Sequence, residues 1–168
     1  MSKVDLFGGI SGATFSKDHQ CRFDLTRIWD ANLPLAMFCG LNPSKAGADN
    51  NDPTITREMG FARLWGYGGM IKVNISPFIS TDPDKLASCV QDVYDENHVF
   101  IEAAAGRAQL HVAAWGSFSG VLPGERLWVK SHITNLFCLG VNADGEPKHP
   151  LYLPKTAKLI PYLMEVKP

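Results

Sequence analysis

The chain has 168 residues, 45% of them hydrophobic and 20% charged, with a formal net charge of −1. That composition is expected of one soluble globular domain with a substantial core. It argues against a strongly basic nucleic-acid binder, though not against a local basic patch, and no stretch approaches the roughly 18 consecutive apolar residues of a membrane span.

The opening Met1-Ser2-Lys3-Val4-Asp5 lacks the apolar segment of a signal peptide, so the expected location is the cytoplasm. Residues 10–29 carry strand-type residues interrupted by Gly12 and by the polar run Lys17-Asp18-His19-Gln20. They read as an antiparallel hairpin added to the edge of a main sheet. The pattern then changes to alternating strands and helices. Short apolar runs at 35–41, 70–75, 110–115 and 136–139 are bounded by Gly, Pro or Asn, as buried parallel strands are.

Between the first two runs, Asp52 is placed to cap a helix whose first residue is Pro53, since proline lacks an N–H that would go unsatisfied there. Ile55, Met59, Phe61, Ala62 and Trp65 give that helix its apolar face, and Gly66 ends it. A second helix is expected over 95–108, with Val99, Ile101, Ala104, Ala105 and Ala108 inward, and a third over 124–133. Repeated β-α-β units predict a single α/β domain over 1–168: residues 1–30 as the hairpin extension, and 31–168 as a three-layer α-β-α core around a mainly parallel four-stranded sheet. Gly66-Tyr67-Gly68-Gly69 follows a helix instead of opening one, so it reads as a turn and not as a phosphate loop.

The four cysteines, Cys21, Cys39, Cys89 and Cys138, are far apart and show no paired Cys/His spacing. Cys39 and Cys138 lie in apolar runs and are expected to be buried hydrophobes. No metal and no cofactor is expected. His19, His98, His111 and His132 have no motif around them and are expected to be structural or superficial.

Two loops carry the chemistry. Gly40-Leu41-Asn42-Pro43-Ser44 closes the first parallel strand, and Lys148-His149-Pro150-Leu151-Tyr152-Leu153-Pro154 follows the last. In an open α/β sheet ligands bind outside the carboxyl ends of the strands. An Asn and a His brought there by different strands are what a small polar site needs. Taken alone, Asn-Pro-Ser is a common turn, a His in a proline-rich loop is often merely exposed, and Asp52 and Thr54 suffice as helix-capping residues.

The strings Gly40-Leu41-Asn42-Pro43-Ser44, Asp52-Pro53-Thr54-Ile55, Ala114-Trp115-Gly116 and His149-Pro150-Leu151-Tyr152-Leu153-Pro154 together resemble an uncharacterised bacterial and phage domain-of-unknown-function family. More distantly the chain resembles the uracil-DNA glycosylase superfamily. Gly40-Leu41-Asn42-Pro43 is similar to that superfamily's first, water-positioning motif, and His149-Pro150-Leu151 to its second, whose His stabilises the departing base. Val73-Asn74-Ile75 resembles the strand end whose Asn reads the base edge. Ser44 departs from the first motif, where glycine is usual, and Leu151 from the second, where serine is usual.

The resemblance implies a nucleobase-directed enzyme acting on DNA or a nucleotide, with Asn42 and His149 catalytic. Gly40, Leu41, Pro43, Ser44, Asp52, Thr54, Asn74, Arg57, Pro150, Leu151 and Tyr152 would line the substrate site. Asn74 offers a donor and an acceptor together, His149 donates to a developing oxyanion, and Phe78 or Trp65 is a candidate to stack on the base. Leu151 and Tyr152 are wedge candidates should a base have to leave a duplex. Lys45, Arg57, Lys148, Lys155 and the free amides near Pro53 are candidates to hold phosphates. A non-catalytic nucleic-acid or nucleotide binder, a phage base-modification protein and a protein-interaction module on the same fold remain as alternatives.

Overall fold

A short strand, Lys3–Val4 (β1), pairs antiparallel with Ile10–Phe15 (β2), and β2 pairs antiparallel with Arg22–Ile28 (β3). The polar run at 17–20 makes the β2–β3 turn as expected. There the Ser16 amide donates to the Cys21 carbonyl at 3.0 Å, and the Asp18 carboxylate accepts from the Ser16 hydroxyl and the Gln20 amide. This computed structural model describes residues 3, 4, 9–44, 50–82, 86, 91–117 and 121–162. Lys45, Cys89 and most of Met1-Ser2-Lys3-Val4-Asp5 lie outside them.

The rest of the chain alternates strand and helix: Leu35–Gly40 (β4), Pro53–Leu64 (α1), Gly69–Asn74 (β5), Gln91–Arg107 (α2), Leu110–Ala113 (β6), Pro123–His132 (α3) and Leu136–Cys138 (β7). A 3-10 turn, Pro150–Tyr152, and a short strand, Ile160–Pro161 (β8), follow. The class is α/β, but the sheet is larger than the four strands expected. Among the described residues it has eight strands, in the order β1-β2-β3-β5-β4-β6-β7-β8. The four apolar runs do form its parallel centre, β5-β4-β6-β7. The additions are antiparallel: the hairpin bonds to β5 through β3, and β8 covers the outer edge of β7. Both additions satisfy backbone groups that an open parallel edge would leave unpaired. β8 is too short, and its Pro161 too poor a ladder donor, to show as a strand in sequence.

Strand alternation sends neighbouring side chains to opposite faces, and each face has its own core. Ala36, Phe38, Met70 and Val112 pack with Ile55, Phe61 and Ala62 of α1. Met37, Cys39, Ile71, Val73 and Ala113 pack with Ile101 and Ala104 of α2 and Val129 of α3 on the other side. The sheet is therefore sandwiched between helices.

Helix α1 begins as the sequence predicts. The Asp52 carboxylate accepts from the Ile55 amide at 2.7 Å and Pro53 occupies the first turn, while Gly66 at φ +82 follows the last. Two inward assignments change. On α1 the buried face includes Glu58, with Met59 only half-buried, and on α2 Val99 is 63% exposed while Tyr94 and Asn97 point inward. The 3.6-residue period puts 94, 97, 101 and 104 on one stripe, so reading Val99 inward followed hydrophobicity and not the period. Cys39 and Cys138 are buried as expected, and burial pushes the Cys39 thiol up to about 12.

The glycine-rich turn before β5 has a packing reason. A Cβ on Gly68 would overlap the Asp30 carbonyl oxygen, and the Gly68 carbonyl accepts from the Trp29 and Asp30 amides at 2.9 Å.

Candidate functional site

Chain direction decides where a cavity forms. From β4 the chain leaves toward α1 on one face, whereas from β6 it leaves toward α3 on the other, so the loops diverge between these adjacent strands. A crevice opens at such a point, outside the carboxyl ends of the strands. It measures about 590 Å³ and takes residues from the loops after all four parallel strands: Asn42 after β4, Ser80 after β5, Trp115 at the end of β6, and Asn142 and His149 after β7. That size suits a small molecule or one base.

Of the expected site residues, Gly40, Leu41, Asn42, Pro43, Ser44, Asp52, Thr54, Asn74, His149 and Tyr152 line this cavity. Arg57, Pro150 and Leu151 are not among its lining residues. Arg57 reaches away: it donates to the Leu153 carbonyl and lies over the Phe61 ring at 5.6 Å. Pro150 is buried as the first residue of the 3-10 turn. Leu151 lines a second groove of about 910 Å³ on the outer side of α1, with Arg57, Arg63 and Lys155. Neither aromatic proposed to stack lines the cavity. Trp65 stacks between Phe38 and Phe61 in the core, and Phe78 packs against the core on the opposite face. Among the described residues, those with aromatic side chains beside His149 in the cavity are Trp115, fully buried, and Tyr152, 83% exposed.

Asn74 is the last residue of β5, in register with Gly40 of β4. Its side chain is 1% exposed, and neither its amide nitrogen nor its amide oxygen has a hydrogen-bond partner. A buried amide left unmatched costs about 1–3 kcal/mol, so its place in a cavity wall is a reason for it to persist. From the opposite face, Asn97 of α2 donates to the Asn74 and Ile75 carbonyls at 2.9 and 3.1 Å, which fixes the strand end. Gly40 leaves the room. A Cβ there would sit 2.8 Å from the Asn74 amide oxygen and 2.6 Å from the Lys72 ammonium.

Asn42 is braced. Its amide nitrogen donates to the Ser80 carbonyl at 2.6 Å and to the Pro43 carbonyl at 3.2 Å, tying the β4 loop to the β5 loop. Those bonds use the donor end and leave the side-chain carbonyl for the cavity. Ser44 donates to Asp52, whose other oxygen caps α1, so both carboxylate oxygens already accept hydrogen bonds.

His149 caps the 3-10 turn: its Nδ1 accepts from the Leu151 amide at 3.3 Å. In the neutral ring the proton is then on Nε2. Burial, with Lys72 nearby, lowers its pKa to about 4 against an opposing pull from Asp52. The ring is thus a neutral N–H donor at physiological pH, not an imidazolium.

Sequence reasoning missed the charged groups beside these residues. Lys72, two residues before Asn74 and so on the same face of β5, is 4% exposed and lines the cavity. Its ammonium donates to Glu58 of α1 at 2.6 Å, and Glu58 is fully buried, with burial raising its pKa. Arg22 of β3, 1% exposed, also lines the cavity, its charge facing Asp52 and Glu58. A signal was available. Lys72 interrupts a run otherwise read as a buried strand, and Glu58 shares the Ile55–Ala62 stripe of α1.

Among the described residues no group of three or more His, Cys, Asp or Glu side chains is placed to hold a metal ion, and no helix is long and apolar enough to cross a membrane. The family described as protein of unknown function (DUF1643) matches residues 22–151, and the chain belongs to it. No curated protein and no solved structure is detectably similar to the chain.

Proposed function

We propose that the cavity receives a nucleobase, in DNA or as a nucleotide, and that the protein is a cytoplasmic, single-domain enzyme of uracil-DNA glycosylase-like type acting on that base or its N-glycosidic bond. The observation that carries this reading is Asn74. Its buried amide presents an unmatched donor beside an unmatched acceptor, the complement of a lactam edge such as a pyrimidine's. His149, with Nε2–H as its free donor, suits a ring carbonyl that gains negative charge as the glycosidic bond breaks. The Asn42 carbonyl is available to orient a water, although an amide cannot take its proton as a carboxylate does, which implies slow turnover. The groove outside α1, lined by Arg57, Arg63 and Lys155 and by no acidic residue among the described ones, fits a phosphate backbone. The exposed Tyr152 stands at the cavity as a wedge or stacking ring.

One observation favours the alternative of a non-catalytic binder or base-modification protein on the same scaffold. Asn42 spends its amide on bracing the loops, and both Asp52 oxygens are already engaged. A cleavage panel separates the two readings. It uses end-labelled single- and double-stranded oligonucleotides carrying uracil, hypoxanthine, thymine mismatches or 5-hydroxymethyluracil, with His149→Ala as control. Alkali-labile breaks lost in the variant are the expected result. An intact panel from folded protein would remove the hydrolase reading and leave the binder.

A further inference from the structure

The Ala114-Trp115-Gly116 segment, helix α3 and the loop after β7 meet at one carboxylate. Trp115 is fully buried and lines the cavity, and its indole Nε1–H donates to Oε2 of Glu146 at 2.6 Å. The other oxygen, Oε1, accepts from the Lys130 ammonium of α3 at 3.3 Å and lies 3.1 Å from the Arg126 guanidinium of the same helix. Tyr162, just past β8, meets the Trp115 ring edge-on at 5.8 Å and donates its hydroxyl to the Gly145 carbonyl at 3.0 Å. Glu146 itself is not among the residues that line the cavity.

The loop that carries Glu146 is a small hairpin. Val141 pairs with Pro147, the Lys148 amide donates to the Gly140 carbonyl at 2.8 Å, and the Asn142 amide donates to the Glu146 carbonyl at 2.8 Å. Asn142 on its first arm and His149 just past its second both line the cavity. Asp144, at its turn, accepts from the Ser117 hydroxyl, a second tie to the segment after β6. The Glu146 side chain is only 12% exposed. A mostly buried ion pair adds little net stability over apolar packing of the same volume. Its directional, charge-assisted bonds instead fix the geometry of the groups that they join.

We propose that Glu146 is a positioning residue of this site, which acts through Trp115 and through the 140–148 hairpin to hold one wall of the cavity and its Asn142–His149 side in the geometry that receives the base. The inference rests on the base-binding reading and adds to it the group that organises the cavity before the ligand arrives, which lowers the ordering cost of binding.

The test is calorimetric binding of free uracil and hypoxanthine to full-length wild type, Glu146→Ala and Glu146→Gln, with the Trp115 indole N–H followed in nitrogen–proton spectra. Trp115→Phe identifies that signal. Gly68→Ala, destabilised at the other end of β5 from the cavity, controls for lost stability. Glu146→Ala should bind roughly tenfold or more weakly than wild type, and its indole signal should move upfield and broaden as the ring loses its acceptor. Glu146→Gln has one carbonyl oxygen, which can serve the indole or Lys130 but not both, so its affinity should be intermediate. Gly68→Ala should keep the wild-type affinity. Wild-type affinity in folded Glu146→Ala, or an equal loss in Gly68→Ala, overturns the positioning role while leaving the base-binding reading intact. Absence of binding by both probes to folded wild type overturns both. Should Glu146→Ala fail to fold, Glu146→Gln is read alone: binding weaker by roughly threefold or more with a displaced indole signal supports the role, and wild-type affinity refutes it.

Discussion

Removing Lys72 alone should be far more damaging than removing Lys72 and Glu58 together. In Lys72→Met the aliphatic stem keeps its packing, but the Glu58 carboxylate, fully buried and 2.6 Å from the lost ammonium, is left without its counter-ion. Breaking one side of a buried pair costs about 3–5 kcal/mol, whereas replacing both sides with neutral groups of similar volume is often neutral or stabilising. For a chain of this size about 1 kcal/mol corresponds to roughly 2–4 °C in Tm. The single variant should therefore melt roughly 6–20 °C below wild type, and Lys72→Met/Glu58→Gln within a few degrees of it. The orphaned carboxyl also has a way out, by taking up a proton. Burial already raises the Glu58 pKa against the pull of Lys72, so without Lys72 it rises further. A raised carboxyl pKa gives stability that is lost as pH increases through it, so the deficit of the single variant should widen from mildly acidic to alkaline pH. Thermal unfolding followed by circular dichroism across that range reads all three quantities. A single variant within about 1 kcal/mol of wild type, or a double variant as unstable as the single, would refute the claim that the pair is dry and mutually dependent.

Further outcomes follow from other parts of the structure. The folded pKa of His149, about 4, lies below its unfolded value of 6.5. On acidification the unfolded chain therefore gains this proton first. Stability from the neutral ring is complete above about pH 6.5 and lost as pH falls toward about 4, by an amount on the order of 1–2 kcal/mol after allowing for the ring's partial exposure. Urea unfolding of wild type and His149→Gln at both ends of that window should show a smaller acid loss in the variant; equal losses would contradict the assignment. Gly68→Ala forces a Cβ into the Asp30 carbonyl and should cost about 3 kcal/mol or more, read as a fall in urea midpoint at unchanged slope. Asn97→Ala deprives the Asn74 and Ile75 carbonyls of their donor and should cost about 2–3 kcal/mol while loosening the β5 end, visible as faster amide exchange at Ile75 and Ser76. Asn42→Asp supplies a carboxylate where the amide now braces Ser80; if water activation limits turnover, cleavage should rise even as stability falls by about 1 kcal/mol, and the cleavage panel measures it.

The parallel centre of the sheet was legible because four buried strands must read as short apolar runs between breakers, and α1 was legible because Asp52-Pro53 and Gly66 mark its two ends chemically. What lay at the sheet's margins was not. β8 is two residues long, and the docking of β3 against β5 is a long-range pairing that no local pattern encodes. The same division runs through the site. Asn42, Asn74 and His149 could be placed because each ends a strand or lies in the loop after one, and topology gathers such positions into one cavity. Lys72 and Glu58 come from the middle of secondary-structure elements, where hydrophobic patterning averages a buried charge away, and Arg22 opens β3 directly after the polar turn. Phe78 was offered for stacking by residue type alone, whereas Trp65 already stood on the apolar face of α1, and both pack against the core.

The most direct test of the account is the side-chain amide of Asn74, followed by nitrogen–proton correlation spectroscopy while free uracil or hypoxanthine is added, with Asn74→Ala identifying the signal. The account predicts that this amide shifts in a saturable way, together with the His149 ring, as its buried donor and acceptor gain partners. An amide that stays fixed at saturating base in a protein that remains folded would contradict the claim that this cavity reads a nucleobase edge.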